Sequence, residues 1–350
     1  VSLAPAGLAI LLGLVGLVFG ADRFVMGASS LARRMGVSPL LVGMFIVGLG
    51  TSAPEMLVSA TAALDGSGGL AIGNAVGSNI TNVGLVLGAA ALIRPLTLEP
   101  DIVRRELPVI LGITAVVGLL LYDLELSVFD GLVLVGMLIL FLLRAFVTGR
   151  AAKRKDAEAA TQPEVATVPE KATVPEKATV SDELEPKGAE ILSYQRATMW
   201  LLIGLVLLMA ASQAVVWGAS EIASALGVSD LVIGLTVVAM GTSLPELAAS
   251  VASALKGEHA MAMGNVLGSN AFNMLAVLPF PAILDPGPVG RELLVRDYGA
   301  MAGLSVLLFL FAISRRGRNE LTRIEGGVLI LAYLSYVTVV VLSAMGIISI

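Results

Sequence analysis

Two glutamates stand where a carboxylate is costly. Glu55 lies in GLGTSAPEMLVS (48–59) and Glu246 in AMGTSLPELAAS (239–250). Glu55 is the only charge in the apolar segment 37–64, and Asp230 is the only other charge in 228–255. An ionisable group at bilayer depth needs compensation, and it ordinarily marks an ion pathway. Ser52-x-x-Glu55 and Ser243-x-x-Glu246 have the spacing of a capping box that starts a helix. Gly50 and Pro54 interrupt any helix running through. Segment 37–64 would be roughly 42 Å long as one helix, against a hydrocarbon core of roughly 30 Å. The sequence therefore predicts a bend or break at mid-depth, where backbone carbonyls and amides lose their helical partners.

A second pair of motifs supplies neutral ligands. Gly73-Asn74-x-x-Gly77-Ser78-Asn79 is followed by Asn82, and Gly264-Asn265-x-x-Gly268-Ser269-Asn270 by Asn273. Ser78 and Asn82 are four residues apart and share a helix face, as do Ser269 and Asn273. The glycines allow close helix approach. Two carboxylates, several hydroxyls, amide oxygens and freed carbonyls make an all-oxygen site for a hard cation. A charge of −2 balances one Ca²⁺, and Na⁺ could occupy the same oxygens in turn.

The elements that must place these residues are membrane spans. Of 350 residues, 57% are hydrophobic and 14% are charged; a soluble domain carries about 25% charged residues. Mean hydropathy is +0.91. Period-2 alternation is absent, so the spans are helices. Ten apolar segments are expected: 4–20, 37–64, 69–93, 103–122, 126–147, 197–219, 228–255, 260–284, 293–314 and 322–348. The first lacks a basic flank and reads as a span, not a signal peptide. There is no cysteine, and the one histidine, His259, is expected in a solvated inner loop. Thiolate chemistry and a His-rich metal site are thereby excluded; one loop histidine and no aspartate at span depth argue against an intramembrane protease, so no enzyme activity or resident cofactor is expected.

Residues 36–83 slide onto 227–274 without a gap, and 22 of the 48 positions are identical. Each half holds five spans, an odd number, so the second half enters from the opposite side. The fold class expected is an all-α membrane protein of ten helices, built as two inverted five-helix repeats with broken helices at the site. The domains are 1–148 and 197–350. Between them, 149–196 is rich in Pro, Glu, Lys, Ala and Thr, carries a tandem ATVPEK, and is expected to be a disordered linker. Twenty Lys and Arg fall on one side and two, Arg291 and Arg296, on the other. This bias predicts both termini outside and a cytoplasmic linker, in a plasma (inner) membrane. Trp200 and Trp217 sit near the ends of span six as interfacial anchors. Lipid is the expected surrounding; nothing points to nucleic acid or an obligate protein partner.

The paired GTSAPE…GNAVGSN and GTSLPE…GNVLGSN motifs resemble the two alpha repeats of the sodium/calcium exchangers, within the cation/calcium antiporter superfamily. The resemblance covers both membrane halves. It implies antiport of Na⁺ against Ca²⁺ at one central site used alternately by three sodium ions or one calcium ion, with sliding of spans one and six. By motif match it implies side-chain ligands Ser52, Glu55, Ser78 and Asn82 with Ser243, Glu246, Ser269 and Asn273. It adds the carbonyls of Gly48, Thr51, Ala239 and Thr242. Some members carry aspartate where this chain has Asn82 or Asn273; here only two carboxylates remain. A proton/calcium antiporter on the same fold is the alternative, although the Gly-Asn-x-x-Glu pattern associated with that branch is absent.

Overall fold

The computed structural model describes residues 3–161, 192–228, 237, 239–313 and 320–348. Most of the expected linker, 162–191, lies outside the described residues, as do 229–236 of the seventh segment. The helices are α1 (Ala4–Met35), α2 (Pro39–Thr51), α3 (Ala53–Leu64), α4 (Gly68–Ile93), α5 (102–120) and α6 (Val128–Thr161). They are followed by α7 (Tyr194–Ala225), α8 (Ala239–Thr242), α9 (Leu244–Leu255), α10 (His259–Leu284), α11 (Leu293–Ile313) and α12 (Arg323–Ala344). Among the described residues, seven of these are long and apolar enough to cross a membrane singly, and α2 with α3 is so only as a pair, bent by 42° at the break between them.

Three bounds differ from the sequence expectation. Helix α1 continues past residue 20 to Met35. Its one internal glycine in that stretch, Gly27, packs where a Cβ would lie 2.6 Å from the Ala197 carbonyl, so the glycine serves contact and does not end the helix. Gly36, at φ 59°, stops α1 in the left-handed conformation that glycine tolerates. Helix α7 likewise overruns segment six at both ends. Helix α6 runs on to Thr161, into the stretch expected to be linker; Ala, Lys, Arg and Glu in AAKRKDAEAAT are all strong helix formers.

The strongly buried helices α4 and α10 form the centre. Helix α10 crosses α2 at backbone contact: a Cβ on Gly264 would lie 2.4 Å from the Leu40 carbonyl, and one on Gly268 2.2 Å from that of Met44. Beside this crossing Phe45, Phe141 and Phe272 form a ring cluster, with centroids 5.1 to 6.2 Å apart. Helices α1 and α7 pack along one another through Gly13, Gly20, Gly27, Gly204 and Gly218. Their outer faces, with Leu11 and Val18 exposed, are apolar.

Two short antiparallel ladders tie the halves together. In one, Leu96 pairs with Leu321 and Thr97 with Glu320; in the other, Glu125 pairs with Pro288 and Leu126 with Gly287. Strand 96–97 maps onto 287–288 under the same 191-residue shift that aligns the motifs. Each half therefore lends a strand to the other twice. Within each half, an acid at the equivalent position is bonded to the following helix. Glu106 on α5 takes a two-pronged bond from Arg144 on α6, at 2.8 Å each. Asp297, its equivalent on α11, accepts from Tyr336 of α12 at 2.9 Å.

His259 is not the loop residue that the sequence suggests. It opens α10, is half-buried, and its Nδ1 accepts a bond from the Thr97 amide at 3.0 Å. The ladder of 96–97 with 320–321 lies against it, a placement that no local pattern announces.

The α2–α10 crossing yields a test. Gly268→Val places methyl groups against the Met44 backbone and should destabilise the fold by about 1–3 kcal/mol or more, as overpacking does. A thermal melt in detergent should show a lowered midpoint; an unchanged midpoint would mean that the helices separate more easily than their contact implies.

Candidate functional site

The break between α2 and α3 falls at Ser52, and that between α8 and α9 at Ser243. Pro54 and Pro245 each lack an amide, so the helical ladder loses a bond there and the chain bends. The capping boxes expected from Ser-x-x-Glu do not form. Ser52 has φ −80°, ψ 2° and Ser243 φ −89°, ψ 5°, and neither side chain makes a cap bond. An N-cap needs extended backbone to turn its hydroxyl onto the helix amides. Thr322, at ψ 166°, has that backbone and forms a full box with Glu325. At the breaks, Ser52, Glu55, Ser243 and Glu246 instead keep their oxygens free.

Those oxygens are deeply buried. Glu55 is 1% exposed and Glu246 0%, and none of their four carboxyl oxygens has a hydrogen-bond partner among the described residues. The same holds for the hydroxyls of Ser52 and Ser243 and the amide oxygens of Asn82 and Asn273. Buried polar groups are rarely left so, and here eight such oxygens fall on these six residues of the two repeated motifs, with a ninth on Asn270.

The halves supply one site jointly. Thr51 of the first half reaches Asn265 and Ser269 of the second, and Thr242 of the second half stands toward the Glu55 carboxyl of the first. Helix α3 packs on the turn at Asn273, and α9 on the turn at Asn82. Both asparagines open π-helical turns, Asn82–Leu87 and Asn273–Val277, a distortion that recurs at functional sites. Ser78 is buried on α4 one turn before Asn82. Ser269 donates to the Gly48 carbonyl at 3.3 Å and stands 3.5 Å from the Thr51 hydroxyl. The Gly48 carbonyl also accepts from the Ser52 amide at 3.0 Å. Ser269 and the Gly48 carbonyl are thus engaged with each other across the α2–α10 crossing, while the glutamates, Ser52, Ser243, Asn82 and Asn273 hold unpartnered oxygens. Ala239 begins the described part of α8.

The sequence carried further residues whose role it did not disclose. Asn74 donates to the Glu55 carbonyl at 3.1 Å and to the Ser59 hydroxyl at 2.9 Å. Asn265 repeats this on the Glu246 carbonyl at 3.2 Å and Ser250 at 2.8 Å. Asn265 also accepts from Thr51 at 3.2 Å, joining one half's threonine to the other half's glutamate turn. Each clamp fixes the first turn of a glutamate helix against α4 or α10. Ser59 and Ser250 repeat one turn after each glutamate, and that recurrence was the available signal.

A buried cluster of acidic and neutral oxygens, shared by two repeats at broken helices, defines a cation-handling membrane protein. The profile of the sodium/calcium exchanger protein family matches residues 6–147 and 196–342, and the chain belongs to that family. It is 41% identical over 327 residues to the putative antiporter CaxA of Alkalimonas amylolytica, covering 93% of this chain and 96% of that one. It is 38% identical to the inner membrane protein YrbG of Escherichia coli, over 92% and 94% of the two chains. With the sodium/calcium exchanger MaX1 of Methanosarcina acetivorans it shares 32% identity over 95% and 97%. A solved structure of the sodium-calcium exchanger NCX_Mj superposes with a TM-score of 0.78 at 30% identity, covering 97% of this chain and all of that one.

The free hydroxyls give a test. Ser52→Ala should not lower stability in ion-free detergent, because the buried hydroxyl has no hydrogen bond to lose. Thr322→Ala should cost about 1 kcal/mol through loss of its cap. Equal losses in a melting comparison would mean that Ser52 does cap α3.

Proposed function

We propose that this protein is a secondary antiporter that exchanges sodium for calcium by alternating access at one central site. The observation that carries the reading is the set of eight unpartnered buried oxygens on Ser52, Glu55, Asn82, Ser243, Glu246 and Asn273. Calcium takes six to eight oxygen ligands at roughly 2.3–2.6 Å, and a net charge of −2 matches it. Sodium ions on the same carboxylates exclude calcium by charge, which is sufficient for exchange. The carbonyls of Gly48, Thr51, Ala239 and Thr242 and the hydroxyls of Ser78 and Ser269 complete the proposed ligand set. No resident cofactor, catalytic step or protein partner enters this scheme.

We read the ten helical units as ten spans, with α2–α3 and α8–α9 each a broken one, in two inverted repeats 1–148 and 197–350. The reciprocal strand pairing of the halves supports that reading. The bias of positive residues supports both termini outside and residues 149–196 in the cytoplasm, joining the repeats as a tether.

The deciding measurement is calcium uptake into proteoliposomes loaded with sodium or with choline at one pH, with a proton ionophore present. Uptake that requires internal sodium and survives the ionophore is the expected result. Uptake that ignores sodium and follows an imposed pH gradient would make the protein a proton/calcium antiporter. Glu55→Gln and Glu246→Gln should each bring uptake to background without loss of folded protein; full activity in both would remove the proposed site. Deletion of residues 162–187, beyond the end of α6, should preserve uptake, and its loss in a well-folded deletion would give the tether a role in transport.

A further inference from the structure

Asn79 has no part in the scheme above, yet its hydrogen bonds decide how one ligand points. An asparagine amide has two ends: Oδ1 accepts and Nδ2 donates. Only Oδ1 can ligate a cation, so an amide ligand must be kept from turning its NH₂ inward. Which end is which follows from neighbours whose polarity is fixed. Asn79 Nδ2 lies 3.3 Å from the backbone carbonyl of Asn270, a group that can only accept. The same end meets the Met301 sulfur at 3.6 Å. Asn79 therefore turns Oδ1 the other way, onto Asn273. The Asn273 atom 3.0 Å from that oxygen must be its donor, Nδ2. What remains of Asn273 is Oδ1, buried and without a protein partner among the described residues. Polarity runs from one carbonyl through two amides to a single free oxygen.

We propose that Asn79 is a positioning residue that holds the Asn273 amide with its oxygen presented to the transported cation. The inference rests on the sodium/calcium reading and deepens it. It also makes the repeats unequal. By the 191-residue shift, the matching relay would join Asn82 Nδ2 to Asn270 Oδ1. Both of those atoms are buried and unpartnered among the described residues. Asn273 is aimed by a partner, and Asn82 is not.

The test uses full-length protein in proteoliposomes, with sodium-driven uptake of radioactive calcium measured against calcium concentration for wild type, Asn79→Ala, Asn273→Ala and the double variant. Partners that orient metal ligands are typically worth about 10–100-fold in affinity. Asn79→Ala should raise the half-saturating calcium concentration about 10-fold, with the maximal rate little changed. The double variant should match Asn273→Ala alone, because Asn79 acts only through Asn273. An unchanged half-saturation, a fall in maximal rate alone, or losses that multiply in the double variant would each overturn the inference. If Asn79→Ala does not fold, Asn79→Ser, too short to bridge Asn270 and Asn273, is read in the same way. A wild type that takes up no calcium overturns the exchanger reading as well. A working wild type with a silent Asn79→Ala overturns this inference alone.

Discussion

Two buried carboxyl groups, one from each half, with no basic residue bonded to either are the constraint around which this molecule is built. The fold gives its other buried acids partners. Glu106 is gripped by Arg144, Asp130 accepts from Ser127 and Glu325 from Thr322, and the half-buried Asp297 accepts from Arg296 and Tyr336. Glu55 and Glu246 receive no such partner among the described residues. Desolvated charge without compensation is costly. Under the proposed function the compensation is the cargo itself, so the protein is most comfortable when loaded and the identity of the load is set by charge.

Holding such a pair demands a stiff frame. The bends at Ser52 and Ser243 aim the glutamates, and the Asn74 and Asn265 clamps stop the bent helices from relaxing. Glycines at the α2–α10 crossing bring backbones together so that Ser269 reaches Gly48. The strand ladders then close the two halves on one another. Near-equal bonds recur in each half because the same segment was written twice. The asparagine relay is where the copies part: one amide is aimed and its counterpart is left loose.

Much of this was legible in the residues. The repeated Gly-Thr-Ser-x-Pro-Glu spacing pointed to the glutamates and to the bend beside them, and the apolar runs to the helices. The capping boxes were misread because Ser-x-x-Glu spacing does not reveal the ψ angle of the serine, and that angle decides whether the hydroxyl reaches the amides. The two-residue strands carry no periodicity to detect. The length of α1 was hidden by its charges: Asp22, Arg33 and the neighbouring serines resemble a loop until Lys256 and Glu258 arrive to pair with them. Asn79 looks like any other motif asparagine, and its role depends on a carbonyl 191 positions away.

The shared site has a consequence for how the protein is made. Thr242, the neighbour of Glu55, and the turn at Asn273 against which α3 packs both belong to the second half. A ribosome adding about 5–20 residues per second needs about 10–40 s to travel from one glutamate to the other. For that interval the first half is without the helix that crosses α2 at backbone contact. The centre can close only after the second half has been made.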